Sequence, residues 1–186
     1  MRSFVAITPP DMVREALLRV QETLPIGRPV PGENLHLTLA FLDDQPEQLL
    51  RDLHEELAEV PAGAFDLELA GLGAFGGAAP RILFAQVGPS DALDRLHRAV
   101  VAAARRVGIS LPRERFRPHI TLIRFPGRLS SLSQRQLRGF LDTHATTQLP
   151  GFTVQDFTLF HSTLHRGGAR HEELASYDLR EIPLTI

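Results

Sequence analysis

The chain has 186 residues, 43% hydrophobic and 23% charged, with a formal net charge of −2. That suffices for one compact domain with a sizeable core, and it lacks the overall basic signature of a nucleic-acid binder. The absence of cysteine excludes disulfides, thiolate nucleophiles and thiolate metal sites. Lysine is absent too, so all 20 basic residues are arginine. A genome rich in G and C accounts for that, and so does arginine's fit to phosphate.

The predicted elements alternate between strands and helices. Ser3–Thr8 reads as a short apolar strand closed by Pro9-Pro10. The opening apolar run is too short for a signal peptide, and no segment reaches the roughly 18 apolar residues of a membrane span, so a soluble cytoplasmic protein is expected. Asp11–Leu24 reads as a helix capped by Asp11, with Val13, Leu17, Val20 and Leu24 on one side. Asn34–Phe41 follows as a strand. Pro46–Val60 is a helix with Leu49, Leu50, Leu53 and Leu57 inward, and Phe65–Phe75 a strand ending in a Gly76-Gly77 turn.

The second half repeats the order. Arg81–Val87 is a strand and Pro89–Val107 a helix stopped at Gly108. Arg117–Phe125 is a strand, Ser131–Thr143 a helix with Leu132, Leu137, Phe140 and Leu141 inward, and Phe152–Phe160 a strand. A last strand, Ser176–Leu184, has no counterpart. The expected fold is therefore α+β: one domain over 1–186, with duplicated β-α-β-α-β lobes at about 1–78 and 79–186. Two mainly antiparallel sheets would line a central groove, with helices outside.

The middle strands of the two units match in their letters. His36-Leu37-Thr38-Leu39 corresponds to His119-Ile120-Thr121-Leu122, with the histidines 83 residues apart. Alternation puts His36, Thr38 and Asn34 on one face, and Arg117, His119 and Thr121 on the equivalent face. Two imidazoles with two hydroxyls suit phosphodiester cleavage. Imidazole takes or gives a proton near neutral pH. Hydroxyls and arginine stabilise the negative charge that gathers on the phosphoryl oxygens. This scheme needs neither metal nor cofactor. The near symmetry leaves open which histidine is the acid.

Charge is uneven along the chain. Residues 39–68 hold nine acids against Arg51, and residues 113–138 hold seven arginines against Glu114. Arg113, Arg115 and Arg117 alternate, so an extended segment would set all three beside His119. That pattern fits steering of an RNA backbone, and it also fits a solvated edge strand. His54 and His97 fall on predicted helices and read as surface residues. The His161-x3-His165 spacing lacks the companions of a metal site.

The doubled His-x-Thr resembles the signature of the two-histidine (2H) phosphoesterase superfamily, and most closely its RNA 2′,3′-cyclic phosphodiesterases, historically called 2′-5′ RNA ligases. The resemblance spans Phe4-Val5-Ala6-Ile7, Glu33–Leu39, Phe116–Leu122, and Ser162-x-Leu164 with Gly167-Gly168. It implies hydrolysis of a terminal 2′,3′-cyclic phosphate on RNA to a 2′-phosphate; separately, a monomer is expected. His119 would activate water, His36 would protonate the departing 3′ oxygen, and Thr38 and Thr121 would hold the phosphate. It also implies a weak reverse 2′-5′ ligation. Related activities on other cyclic or 2′-5′-linked nucleotides, and a binding module without turnover, are the alternatives. Arg170-His171-Glu172 stands where the family often carries an aromatic residue. Arg124 matches a family arginine, but alternation puts it opposite His119 unless the strand bulges there.

Overall fold

The computed structural model describes residues 1–112, 115–144, 146–166 and 168–179. Arg113 and Gly167, and the end of the last predicted strand beyond residue 179, lie outside the described residues. The elements in chain order are β1 (Arg2–Ile7), α1 (Asp11–Glu22), β2 (Arg28–Pro29), a 3₁₀ turn (Gly32–Asn34), β3 (Leu37–Asp44), α2 (Glu47–Ala58), β4 (Phe65–Phe75), β5 (Ile82–Val87), α3 (Asp91–Arg106), β6 (His119–Arg124), α4 (Ser131–His144), β7 (Gln148–Val154), β8 (Asp156–His165) and β9 (Gly168–Asp178). No helix among them is long and apolar enough to cross a membrane.

The strands form one antiparallel sheet in the order β7-β4-β5-β6-β3-β1-β8-β9, with β2 beside β6. The sheet curls into a half-barrel. Its two four-stranded halves join at a single pair, Leu37 against Ile120. These residues are repeat equivalents, 83 apart, so the junction marks the pseudo-twofold axis. From the axis outward, each half reads in the same way: β3-β1-β8-β9 on one side and β6-β5-β4-β7 on the other. Each spatial half thus borrows from the other sequence half. β4 of the first unit pairs with β5, and β8 of the second pairs with β1.

Several sequence expectations shift. The predicted Phe152–Phe160 strand is two strands, divided at Gln155, because β7 pairs with β4 while β8 pairs with β1. Pro150 is tolerated inside β7 because that strand lies at the sheet edge, where a missing N–H costs no ladder bond. The last strand starts at Gly168 rather than Ser176 and forms a long hairpin with β8. It also has a counterpart after all, since β9 and β7 flank equivalent ends. Asp11 does not cap α1. Pro10 occupies the cap position, and the Asp11 carboxylate pairs with Arg14 instead.

The helices cover the outer face. α3 follows the sequence logic closely: Ser90 Oγ accepts from the Leu93 N–H (3.2 Å), and Leu93, Leu96, Val100, Ala103 and Ala104 are buried. Gly108, at φ 91°, lets the chain turn away after it. α3 packs on β3 and α2, while α1 packs on β6 and β7. In α4 only Leu137 is buried; Leu132, expected inward, is 60% exposed.

Candidate active site

Each His-x-Thr segment starts its strand at the axis. His36 sits just before β3, and His119 is the first residue of β6. Leu37 and Ile120 point into the core and are fully buried. Antiparallel continuation of their register sets His36 toward Thr121 and Thr38 toward His119. The four residues therefore form a compact patch on the inner face. No other described residue takes a hydrogen bond from either threonine hydroxyl.

The two rings are held alike. His36 Nδ1 donates to the Asn34 carbonyl at 2.7 Å, and His119 Nδ1 donates to the Arg117 carbonyl at 2.7 Å. A carbonyl only accepts, so each neutral ring keeps its proton on Nδ1 and leaves Nε2 as the free base. Aromatic neighbours fix the ring planes. His36 lies against Phe4, with centroids 4.8 Å apart. His119 meets Phe75 and Phe84 edge-on at 5.0 and 5.3 Å.

Burial pulls both imidazoles below their ordinary pKa. His36 falls to about 4, mainly by desolvation, with the charges of His171, Arg124 and His119 adding and the Asn34 carbonyl opposing. His119 is lowered by burial and by Arg124, against its bond to the Arg117 carbonyl. Both rings are thus neutral at pH 7 in the free protein. A bound phosphate would supply the negative charge that makes a second proton welcome.

His36, Thr121, Arg124 and Asn34 line one cleft of about 720 Å³. Thr38 and His119 adjoin it through the strand register, and Arg117 lies outside its lining. The cleft also holds Arg28, Arg81, Arg166 and His171. No ion pair among the described residues engages Arg28, Arg81, Arg124 or Arg166. Periodicity did not single out Arg28, Arg81 or Arg166, since each sits singly at a strand end or turn. His171 packs edge-on against His36 at 5.2 Å and Phe4 at 4.8 Å, in the stretch where the sequence departs from the family's aromatic residue.

Arg124 reaches the cleft because β6 bulges. Thr121 pairs with Phe84 and Ile123 with Leu83, so Leu122 is the extra residue. One added residue reverses the alternation and turns Arg124 to the face of His119 and Thr121. The same bulge occurs at the equivalent place in β3, where Val5 faces Ala40 and Ala6 faces Thr38, leaving Leu39 extra.

Both bulges are held from outside. The Leu122 carbonyl accepts from Gln21 Nε2 of α1 at 2.6 Å, and the Leu39 carbonyl accepts from His97 Nδ1 of α3 at 2.8 Å. His97 is therefore no plain surface residue. It is half-buried and stacked on Phe116 at 3.8 Å. Asn34 also differs from expectation. It ends the 3₁₀ turn rather than standing on the strand, and its Nδ2 donates to the Ala169 carbonyl of β9 at 2.7 Å. Arg117 precedes β6, is exposed, and lies 5.9 Å from the Phe75 ring centre.

The profile of the 2′-5′ RNA ligase superfamily matches residues 9–166. The chain is 33% identical to a Geobacillus stearothermophilus protein named RNA 2′,3′-cyclic phosphodiesterase, over 97% of this chain and 58% of that protein's length. An Escherichia coli protein of the same name is 29% identical over 97% of both chains. Among solved structures, TT0787 of Thermus thermophilus superposes with a TM-score of 0.83 at 28% identity, covering 97% of this chain and 98% of that one. Escherichia coli LigT complexed with 3′-AMP gives 0.74 at 28% identity, over 96% of each. With a profile match across most of its length and the doubled His-x-Thr at its axis, the chain belongs to the 2′-5′ RNA ligase superfamily.

Proposed function

We propose that this chain hydrolyses RNA ends carrying a 2′,3′-cyclic phosphate to 2′-phosphomonoesters. The matched pair of imidazoles, each with Nδ1 spent on a carbonyl and Nε2 free, carries the reading. In the forward step His119 Nε2 takes a proton from water as the water oxygen bonds to phosphorus. The bond from phosphorus to the 3′ oxygen breaks, and protonated His36 gives its proton to that oxygen. Thr38, Thr121 and Arg124 donate hydrogen bonds to the non-bridging oxygens as their charge grows.

The free protein holds His36 neutral, so its proton enters with the anionic substrate. A phosphate beside the ring favours the imidazolium by direct attraction. Two imidazoles carry both proton transfers, so the scheme needs no metal. Both halves of the site come from one chain, so a monomer suffices. The names of the relatives and the nucleotide bound to the Escherichia coli structure support this substrate class. Run backwards, the same two groups would join ends through a 2′-5′ bond.

An RNA oligonucleotide ending in a 2′,3′-cyclic phosphate, incubated with the protein and excess chelator, should give the 2′-phosphate. Unchanged substrate at micromolar protein would overturn the reading. His36→Ala and His119→Ala should each lose at least about 10²-fold in rate. A variant that stays active removes its histidine from the mechanism.

A further inference from the structure

Three imidazoles, not two, stand around the cleft. His36 and His119 each spend Nδ1 on a backbone carbonyl. His171 spends neither nitrogen: no hydrogen bond or ion pair among the described residues involves its ring. It is half-buried and lines the cleft together with His36, Thr121 and Arg124. No buried side-chain nitrogen among the described residues lacks a partner, so the unbonded nitrogens of His171 are open to solvent.

The ring is nonetheless fixed in place. It stands edge-on to His36 at 74° and 5.2 Å between centroids, and to Phe4 at 71° and 4.8 Å. The strand beneath it is pinned as well. The Asn34 carbonyl accepts from His36 Nδ1, and Asn34 Nδ2 donates to the Ala169 carbonyl at 2.7 Å. Ala169 and His171 are two apart on β9, so they share a face, and both line the cleft. One asparagine thus sets His36 and the strand of His171 against each other. Packing on Phe4 and His36 asks only for an aromatic ring, which phenylalanine would supply; the nitrogens are what imidazole adds. Burial, and after it the charge of Arg124, lowers the His171 pKa, so the guanidinium and this imidazole act across the same space.

We infer that His171 is a further hydrogen-bond donor to the substrate phosphate, a role that rests on the phosphodiesterase reading above. A phosphate seated against His36, within reach of Thr121 and Arg124, lies beside the His171 ring. The His171 N–H donates to a non-bridging oxygen of the cyclic ester and stays with that oxygen in the 2′-phosphomonoester. A neutral imidazole carries one N–H, and with neither nitrogen committed its tautomer is free to suit the anion. Thr121 and Arg124 reach the phosphate from β6 and His171 reaches it from β9, so the anion is held from both arms of the sheet.

Inorganic phosphate titrated into the unaltered protein should shift the ring-nitrogen NMR signals of His171 and His36 along one saturation curve, and 3′-AMP should do the same. A His171 signal that stays still while His36 responds, or that answers to phosphate and not to 3′-AMP, overturns the inference. Two variants separate the donor from the packing. His171→Phe keeps the ring and removes the nitrogens, whereas His171→Gln keeps an N–H and removes the ring. Followed on the His119 signal, His171→Phe should weaken phosphate binding by roughly 10- to 150-fold. His171→Gln should recover most of that loss. Unaltered affinity in His171→Phe overturns the inference, and so does an equal or greater loss in His171→Gln, which would assign the effect to packing on His36. None of these readouts depends on turnover. A chain that meets them and leaves the cyclic phosphate intact overturns the phosphodiesterase reading alone.

Discussion

For single residues, the site is a problem of where protons sit. An unfolded His36 titrates near 6.5 and the folded one at about 4, principally because burial penalises the charged ring. Between those values the unfolded chain binds a proton that the folded chain refuses. Stability is therefore fully present above pH 6.5 and falls as pH drops toward 4, by on the order of 2–3 kcal/mol. Arg124 presses in the same direction on His36, His119 and His171. Arg124→Gln should accordingly raise the midpoints of all three imidazoles, measured by NMR titration of their ring carbons. Saturating inorganic phosphate should raise the His36 midpoint in the unaltered protein. If neither change moves His36, Arg124 and the anion do not share its cleft.

Among the strands and helices, two bulges decide which side chains reach the inner face. A bulge frees a carbonyl from the strand ladder, and a buried free carbonyl costs about 1–3 kcal/mol if nothing satisfies it. His97 on α3 supplies that bond to the Leu39 carbonyl, and Gln21 on α1 adds a second donor to the Leu122 carbonyl, which also accepts from the Val30 N–H at 2.8 Å. Gln21 Nε2 also donates to the Val30 carbonyl at 2.9 Å, tying the strap before the 3₁₀ turn to the same bulge. Gln21→Leu should lower unfolding free energy by about 1–3 kcal/mol in urea titrations and raise KM, because Arg124 loses its fixed direction. His97→Leu should lower stability in the same way through the bulge at Leu39. A Gln21→Leu protein as stable as the parent would show that the bulge holds itself.

Across the molecule, strand exchange makes the two sequence halves interdependent. The first half lacks the partners of β4, and β1 lacks β8; the second half has the mirrored gaps. Exposed strand edges of that length do not stay ordered alone. The turn at 76–79 is exposed, with Gly76 and Gly77 at φ 112° and 54°, so the chain can be opened there. Fragments 1–78 and 79–186 should each be unfolded in isolation by circular dichroism and regain cooperative unfolding when mixed. Independent folding of either fragment would mean that the exchanged strands are dispensable.

Local pattern was enough to find the periodic elements, the repeat and the two histidines, because none of these depends on a distant partner. Apolar spacing of 3 and 4 marks α1 and α3, alternation marks the His-x-Thr strands, and the 83-residue echo pairs them. Long-range pairing supplied what local pattern cannot hold. It divided Phe152–Phe160 at Gln155, where no glycine or proline announces a break, because the two pieces find partners on opposite sides of the sheet. It placed Asn34 in a turn and gave its amide to β9. It turned Arg124 and Phe41 inward through Leu39 and Leu122, apolar residues that look like any others in a buried strand. Counting along the chain puts Arg124 on the wrong face; the right face depends on the bulge in β6, whose Leu122 carbonyl is bonded to Val30 and to Gln21, 101 residues away. The repeat picked out the two histidines, and only the packing around them distinguished one arm of the cleft from the other.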